Sequence, residues 1–173
     1  LLAGSTVASV IQNGGIRLTN SSQKLQYLFK VNPIGLGKWA KGVASAYDGD
    51  DWSIGFGSVT FSPSMNAIYW AGDFVNRLEL SSPPIVSSGA KDAFVAKLGL
   101  DGATLWARTI GGPGDQWADA ALVDEDGNVF VAGFYTGELN CGLLSLPNFG
   151  NRDIFLIKLL PDGTPRWAKR IGW

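Results

Sequence analysis

The sequence has no histidine, one cysteine, one methionine and no run of basic residues. Without His, a Ser-His-Asp triad, a Cys-His pair and a His-based zinc site are all excluded. Cys141 cannot form a disulfide within the chain, so cysteine usage says nothing about redox compartment; in "NCGLL" it reads as a small buried hydrophobe. Fourteen Lys and Arg against fifteen Asp and Glu, with the basic residues never in a run, give no concentrated basic face, and nucleic acid is not an expected partner. No apolar run reaches the roughly 18 residues of a membrane span. "LLAGSTVASVIQ" lacks the basic start of a signal peptide, so a leader for an exported protein is expected outside these residues.

What is present points to a folded, all-β chain. Apolar residues make up 46% and aromatics 12%, enough for a core. The 23 Gly and 8 Pro fall between short apolar runs, the pattern of many short strands joined by tight turns.

Internal repetition organises the chain. Setting Tyr27, Phe94 and Phe155 in register aligns Lys30, Lys97 and Lys158, then Gly35, Gly102 and Gly163, then Trp39, Trp106 and Trp167, without a gap. Each Trp is followed by Ala and then by Lys41, Arg108 or Lys169. The period is 106 − 39 = 67 and 167 − 106 = 61 residues. A second anchor agrees: "IYWAGDF" (68–74) matches "VFVAGFY" (129–135), and Gly72 precedes Phe94 by 22 residues, as Gly133 precedes Phe155.

Each unit reads as strands A ("WADAALVD", 117–124), B ("NVFVAGFY", 128–135), C ("DIFLIKLL", 153–160) and D ("PRWAKRIG", 165–172), with a loose segment between B and C. "DEDGN" and "PDG" supply hairpin turns, since Asp and Gly tolerate positive φ. In this phase residues 1–43 form a partial unit lacking strand A and most of B, followed by complete units at 44–110 and 111–173. Four-stranded sheets repeated at this period and covered on both faces predict β-propeller blades, about three of them. Trp39, Trp106 and Trp167 are expected to fill the space between blades, each burying roughly 200 Å², with Gly72 and Gly133 as the other repeated core positions.

The stretch "DAFVAKLGLDGATLWARTIGGPGDQWADAALVDEDGNVFVAGFY" (92–135) resembles the bacterial β-propeller repeat called SBBP, whose pattern runs roughly D-x-F-V-A-K, D-G, L-W-A, G-G-x-G-D, V-D-x-D-G-N-V-Y-V-x-G. The resemblance covers nearly the whole chain and is weaker at 24–72, where Leu25 stands for the leading Asp and "SPSM" for the Asp-rich turn. It implies a propeller of secreted or surface-attached bacterial proteins with binding or adhesive roles. Three blades do not close a ring, so the expected partners are the remaining blades, from a longer chain or from copies of this one. An open ring would leave aromatic faces exposed.

Two rim loops carry candidate binding residues: "YDGDDW" (47–52), with Asp50, Asp51 and Trp52, and "GGPGDQW" (111–117), with Asp115 and Trp117. Acid beside aromatic suits a sugar or a cation; the plainer reading is an Asp-capped turn and a Trp plugging the rim. "DEDGN" (124–128) shares the alternating oxygens of a calcium loop but lacks its later Glu, and a plain turn is favoured, so no cofactor is expected. The basic slots are read as edge residues with solvated heads rather than a polyanion surface. Asp119 on strand A could face the central channel of a propeller; its counterpart by register, Ser58, is no acid, so no carboxylate pair is singled out for glycoside hydrolysis. The expectation is a non-enzymatic scaffold for binding or adhesion, with a protein or glycan partner. The alternatives are a hydrolase or lyase with carboxylates from other blades, or a structural subunit of a large extracellular assembly.

Overall fold

A computed structural model of the chain describes residues 1–6, 10–19, 24–45 and 57–171. Among the described residues there is no helix, and all the sheets are antiparallel. In chain order come β1 (Leu2–Thr6), the hairpin of β2 (Val10–Asn13) and β3 (Ile16–Thr19), β4 (Lys24–Val31) and β5 (Gly37–Ser45). β1, β4 and β5 make sheet I, in that order. Next are β6 (Ser58–Ser62), β7 (Ala67–Phe74), the short pair β8 (Arg77–Leu78) and β9 (Ile85–Val86), β10 (Asp92–Gly99) and β11 (Thr104–Ile110). Sheet II runs β6-β7-β10-β11. Last are β12 (Gln116–Val123), β13 (Val129–Tyr135), the hairpin of β14 (Leu139–Cys141) and β15 (Leu144–Leu146), β16 (Asp153–Leu159) and β17 (Pro165–Ile171), with sheet III running β12-β13-β16-β17.

Sheet I therefore shows strands B, C and D of the unit, and β5 runs to Ser45, two residues past the boundary placed at 43. Strand B of this unit, expected to be mostly missing, is present as five residues. The loose segment between B and C contains a small hairpin in every unit. Strands of two to four residues are too short to display a period, which hid them in the sequence.

The repetition extends to register. A Gly lies opposite the first aromatic of strand C in all three sheets: Gly4 and Tyr27, Gly72 and Phe94, Gly133 and Phe155. A Cβ on Gly72 or Gly133 would come within 3.0 Å of the Phe94 or Phe155 ring, so the aromatic needs a neighbour without one. The C–D ladder shifts register at the same place each time, after Lys30, Lys97 and Lys158.

Sheet II is packed on both faces. Successive strand residues point to opposite sides, so Ile68, Trp70, Phe94 and Leu98 meet Leu28 and Val43 of sheet I, while Tyr69, Ala71, Ala93 and Val95 meet Ala118, Ala121 and Phe155 of sheet III. All eight residues of β7 are buried, which explains its unbroken apolar run "AIYWAG". Trp70 and Phe94 meet edge to face, 5.5 Å between centroids and 77° between planes. A buried side chain of this size contributes about 1.5–3 kcal/mol relative to exposure.

Candidate functional site

The three C–D turns are the same turn. Gly35, Gly102 and Gly163 sit at φ 83°, 86° and 82°. In each, the Gly N–H donates to the carbonyl three residues back, at Asn32, Gly99 and Leu160. In the second and third, Asp101 and Asp162 accept from the backbone N–H two residues on, at 3.0 and 2.8 Å. The first turn has Ile34 in that slot, and Asn32 Oδ1 takes over, accepting from Ile34 N and Leu36 N. Hydrogen bonds from the Thr164 backbone N–H and from its side chain hold the Asp162 carboxyl below its ordinary range.

Each turn of sheets II and III is latched by the preceding sheet. Trp39 lays its indole over Gly102, whose added Cβ would stand 2.9 Å from the ring, and its Nε1–H donates to the Leu100 carbonyl at 2.8 Å. Trp106 does the same to Gly163, 2.9 Å from that position, and to the Pro161 carbonyl at 3.1 Å. The following basic residue completes the contact. Lys41 Nζ donates to Gly102 O at 2.9 Å and Thr104 Oγ1 at 2.7 Å. Arg108 Nε donates to Gly163 O at 3.1 Å and its NH2 to Asp162 O at 3.3 Å. Burial lowers the Lys41 pKa, opposed by the Asp101 carboxylate.

This corrects two expectations. Trp39 and Trp106 lie half-buried at the margin of the inter-sheet space, whose interior is filled by Trp70, Phe74 and Phe94 on one side and by Tyr69, Tyr135 and Phe155 on the other. The basic heads of Lys41 and Arg108 end on the next sheet's turn, not in solvent. A strand D pattern cannot reveal a hydrogen bond across sheets; the fixed Trp-Ala-basic spacing was the available signal. Trp167, in the third such slot, packs on Phe130 and lies under Lys169.

Of the rim candidates, Asp50, Asp51 and Trp52 lie outside the described residues. Asp115 and Trp117 are described and lie at the start of sheet III. The Asp115 backbone ties the strand in, with Thr136 N donating to its carbonyl at 2.8 Å and its own N–H reaching Thr136 Oγ1 at 2.8 Å. Trp117 is half-buried, with the Arg152 guanidinium 4.7 Å and the Lys91 ammonium 5.4 Å from its ring centroid. That covers the ring with cations rather than leaving it open for stacking. Asp119 lies in a β-bulge between Ala118 and Ala120. By pairing, Ser58 corresponds to Ala120, because both lie opposite the Ala of Ala-Gly, so Asp119 is an inserted residue without a counterpart. Burial raises its pKa and Arg152 opposes the shift.

The remaining carboxylates hold loops. Asp92 Oδ2 accepts from Ser88 N at 2.8 Å and Asp153 Oδ2 from Phe149 N at 3.0 Å, each four residues back, so the leading Asp of strand C closes its own loop. Burial raises the Asp92 pKa against its backbone hydrogen bonds. In "DEDGN", Asp124 accepts from Asn128 N and Nδ2, both at 2.8 Å, which lowers its pKa. Met65 of sheet II sits against Gly127 of that turn. Burial pushes the Cys141 thiol up to about 11, matching its reading as a buried hydrophobe. Among the described residues no group of three or more metal-ligating side chains comes together. Among the described residues no helix is long and apolar enough to cross a membrane. Comparison of the chain with protein-family models and with curated proteins returned no match.

Proposed function

We propose that the chain is a segment of a β-propeller of the SBBP type, a non-enzymatic module that holds binding loops on a rigid stack of blades in an exported or surface-attached bacterial protein. The observation that carries this reading is the latch: the same Trp and basic residue of one sheet grip the same Gly turn of the next, at both interfaces. A unit that docks its successor by a fixed contact is a repeat designed to be extended. Its remaining blades come from a longer chain or from copies of this one, and its ligand is a protein or a glycan. A scaffolding role is favoured by the carboxylates described above, which spend their oxygens on loops and turns, and by the absence of His.

The test is twofold. Small-angle scattering and a crystal structure of the parent protein should show sheets arranged around an axis; a flat or sandwich stack refutes the architecture. A glycan and protein-ligand panel should give binding by the parent protein, without turnover of glycosidic or ester substrates. Turnover lost with Asp119→Asn would instead make the chain part of an enzyme.

A further inference from the structure

The latch is assembled a third time, on the outer face of sheet III, where no described residue fills it. Trp106 is braced by Tyr69 at 6.2 Å and 65°, and Trp167 by Phe130 at 6.2 Å and 61°. Arg108 stands 5.9 Å over Trp106, and Lys169 5.6 Å over Trp167. Lys97 stands 5.5 Å over Tyr69, and Lys158 5.0 Å over Phe130. The indole, its brace and both cations thus hold the docked arrangement in the absence of an occupant. Trp167 Nε1 and Lys169 Nζ make no hydrogen bond among the described residues. The surrounding face is apolar and open: Leu122 is 67% exposed and Ile171 53%.

The opposite end of the molecule carries the matching part. The Asn32–Leu36 turn has the same backbone hydrogen bonding and nearly the same Gly φ as the two latched turns. Yet a Cβ at Gly35 would meet nothing within 4 Å, where Gly102 and Gly163 are covered by indoles. This unlatched turn is also the apolar one, with Ile34 78% and Leu36 51% exposed where the latched turns have Asp101 and Asp162, Ala103 and Thr164. Apolar residues at an open turn fit a partner face that is itself apolar.

We propose that the outer face of sheet III, centred on Trp167 and Lys169, docks the Asn32–Leu36 turn of a second copy of this chain. The Trp167 indole covers Gly35 and donates to the Pro33 carbonyl, and Lys169 donates to the Gly35 carbonyl, as Trp39 and Lys41 do to Leu100 and Gly102. The contact is head to tail, and two of them related by a two-fold axis close a pair without free ends. This rests on the repeat-module reading above and names its partner.

The experiment is native mass spectrometry and sedimentation of the 173-residue chain over a concentration series, with the Gly35 Hα proton shift followed in parallel. The expected result is a species of twice the chain mass, with Gly35 Hα moving upfield as it forms. Trp167→Ala and Lys169→Glu, both surface changes, should each weaken the pair about tenfold or more. Ile34→Lys added to Lys169→Glu, which places opposite charges together, should restore part of the loss. A monomer at every concentration, or a dimer indifferent to Trp167→Ala and Lys169→Glu, overturns the proposal. The two readings fail separately: ring-shifted Gly102 and Gly163 in a strictly monomeric chain sink only the dimer, whereas unshifted Gly102 and Gly163 sink the latch itself.

Discussion

Sheets II and III have the same strand order and the same register between strands B, C and D, yet β7 is buried throughout while β13 alternates between buried and open positions. The difference lies in their neighbours. Tyr69 and Phe130 occupy the same slot; Tyr69 is covered by sheet III, whereas Phe130 faces outward. Burial in this molecule is therefore imposed by stacking, and a strand's own composition only permits it. Phe130, Phe134 and Leu156 keep the outer face of sheet III apolar all the same, so its sequence is written for a covered sheet.

Equivalent slots give paired tests of that contrast. The largest difference is expected for Tyr69→Ala, costing about 3 kcal/mol, against Phe130→Ala, costing about 1 kcal/mol, in urea unfolding of the dilute chain. Equal losses would mean that stacking does not set burial. Next, Trp106→Ala should cost about 2 kcal/mol, less than a fully buried Trp because it is half-open, and Trp167→Ala less than about 0.5 kcal/mol. A loss of 2 kcal/mol or more for Trp167 in dilute monomer would contradict the empty latch. Gly163→Ala should cost about 2 kcal/mol, from its positive φ and the overlying indole, and Gly35→Ala about 1 kcal/mol, from φ alone.

The smallest effect is a pH slope. Burial raises the folded-state pKa of Asp92 above its ordinary 3.8, so the folded state holds this proton more tightly than the unfolded one. Its contribution is complete below the unfolded value and is lost as pH rises through the folded value. Asp92→Asn should keep the Ser88 contact and remove that part of the acid-to-neutral decline in stability. An unchanged slope would show that Asp92 titrates normally.

Much of this was legible in the sequence. The period, the paired Gly and aromatic slots and the Asp-Gly turns are local patterns, and each marks a place where backbone geometry admits few residues. The destination of the basic residue after Trp was not legible, because its hydrogen-bond partners lie 54 to 63 residues away on another sheet. The hairpin at 139–146 escaped because three-residue strands show no alternation. The Asp119 bulge escaped because an alignment without gaps passes over an inserted residue. Of the rim candidates, Asp115 immediately precedes β12 and Trp117 lies on it, and the cation over the Trp117 ring, Arg152, was unforeseen, since it precedes strand C by one residue and lies far from Trp117 in sequence.

The account depends on indoles of one sheet lying face-on over glycines of the next. Aromatic ring currents make that directly measurable in a proton–carbon correlation spectrum of the dilute chain. Gly102 and Gly163 should each show one Hα proton far upfield, with Gly35 at an ordinary position, and both shifts should vanish singly in Trp39→Ala and Trp106→Ala. Ordinary shifts at Gly102 and Gly163, unaffected by removal of either indole, would contradict it.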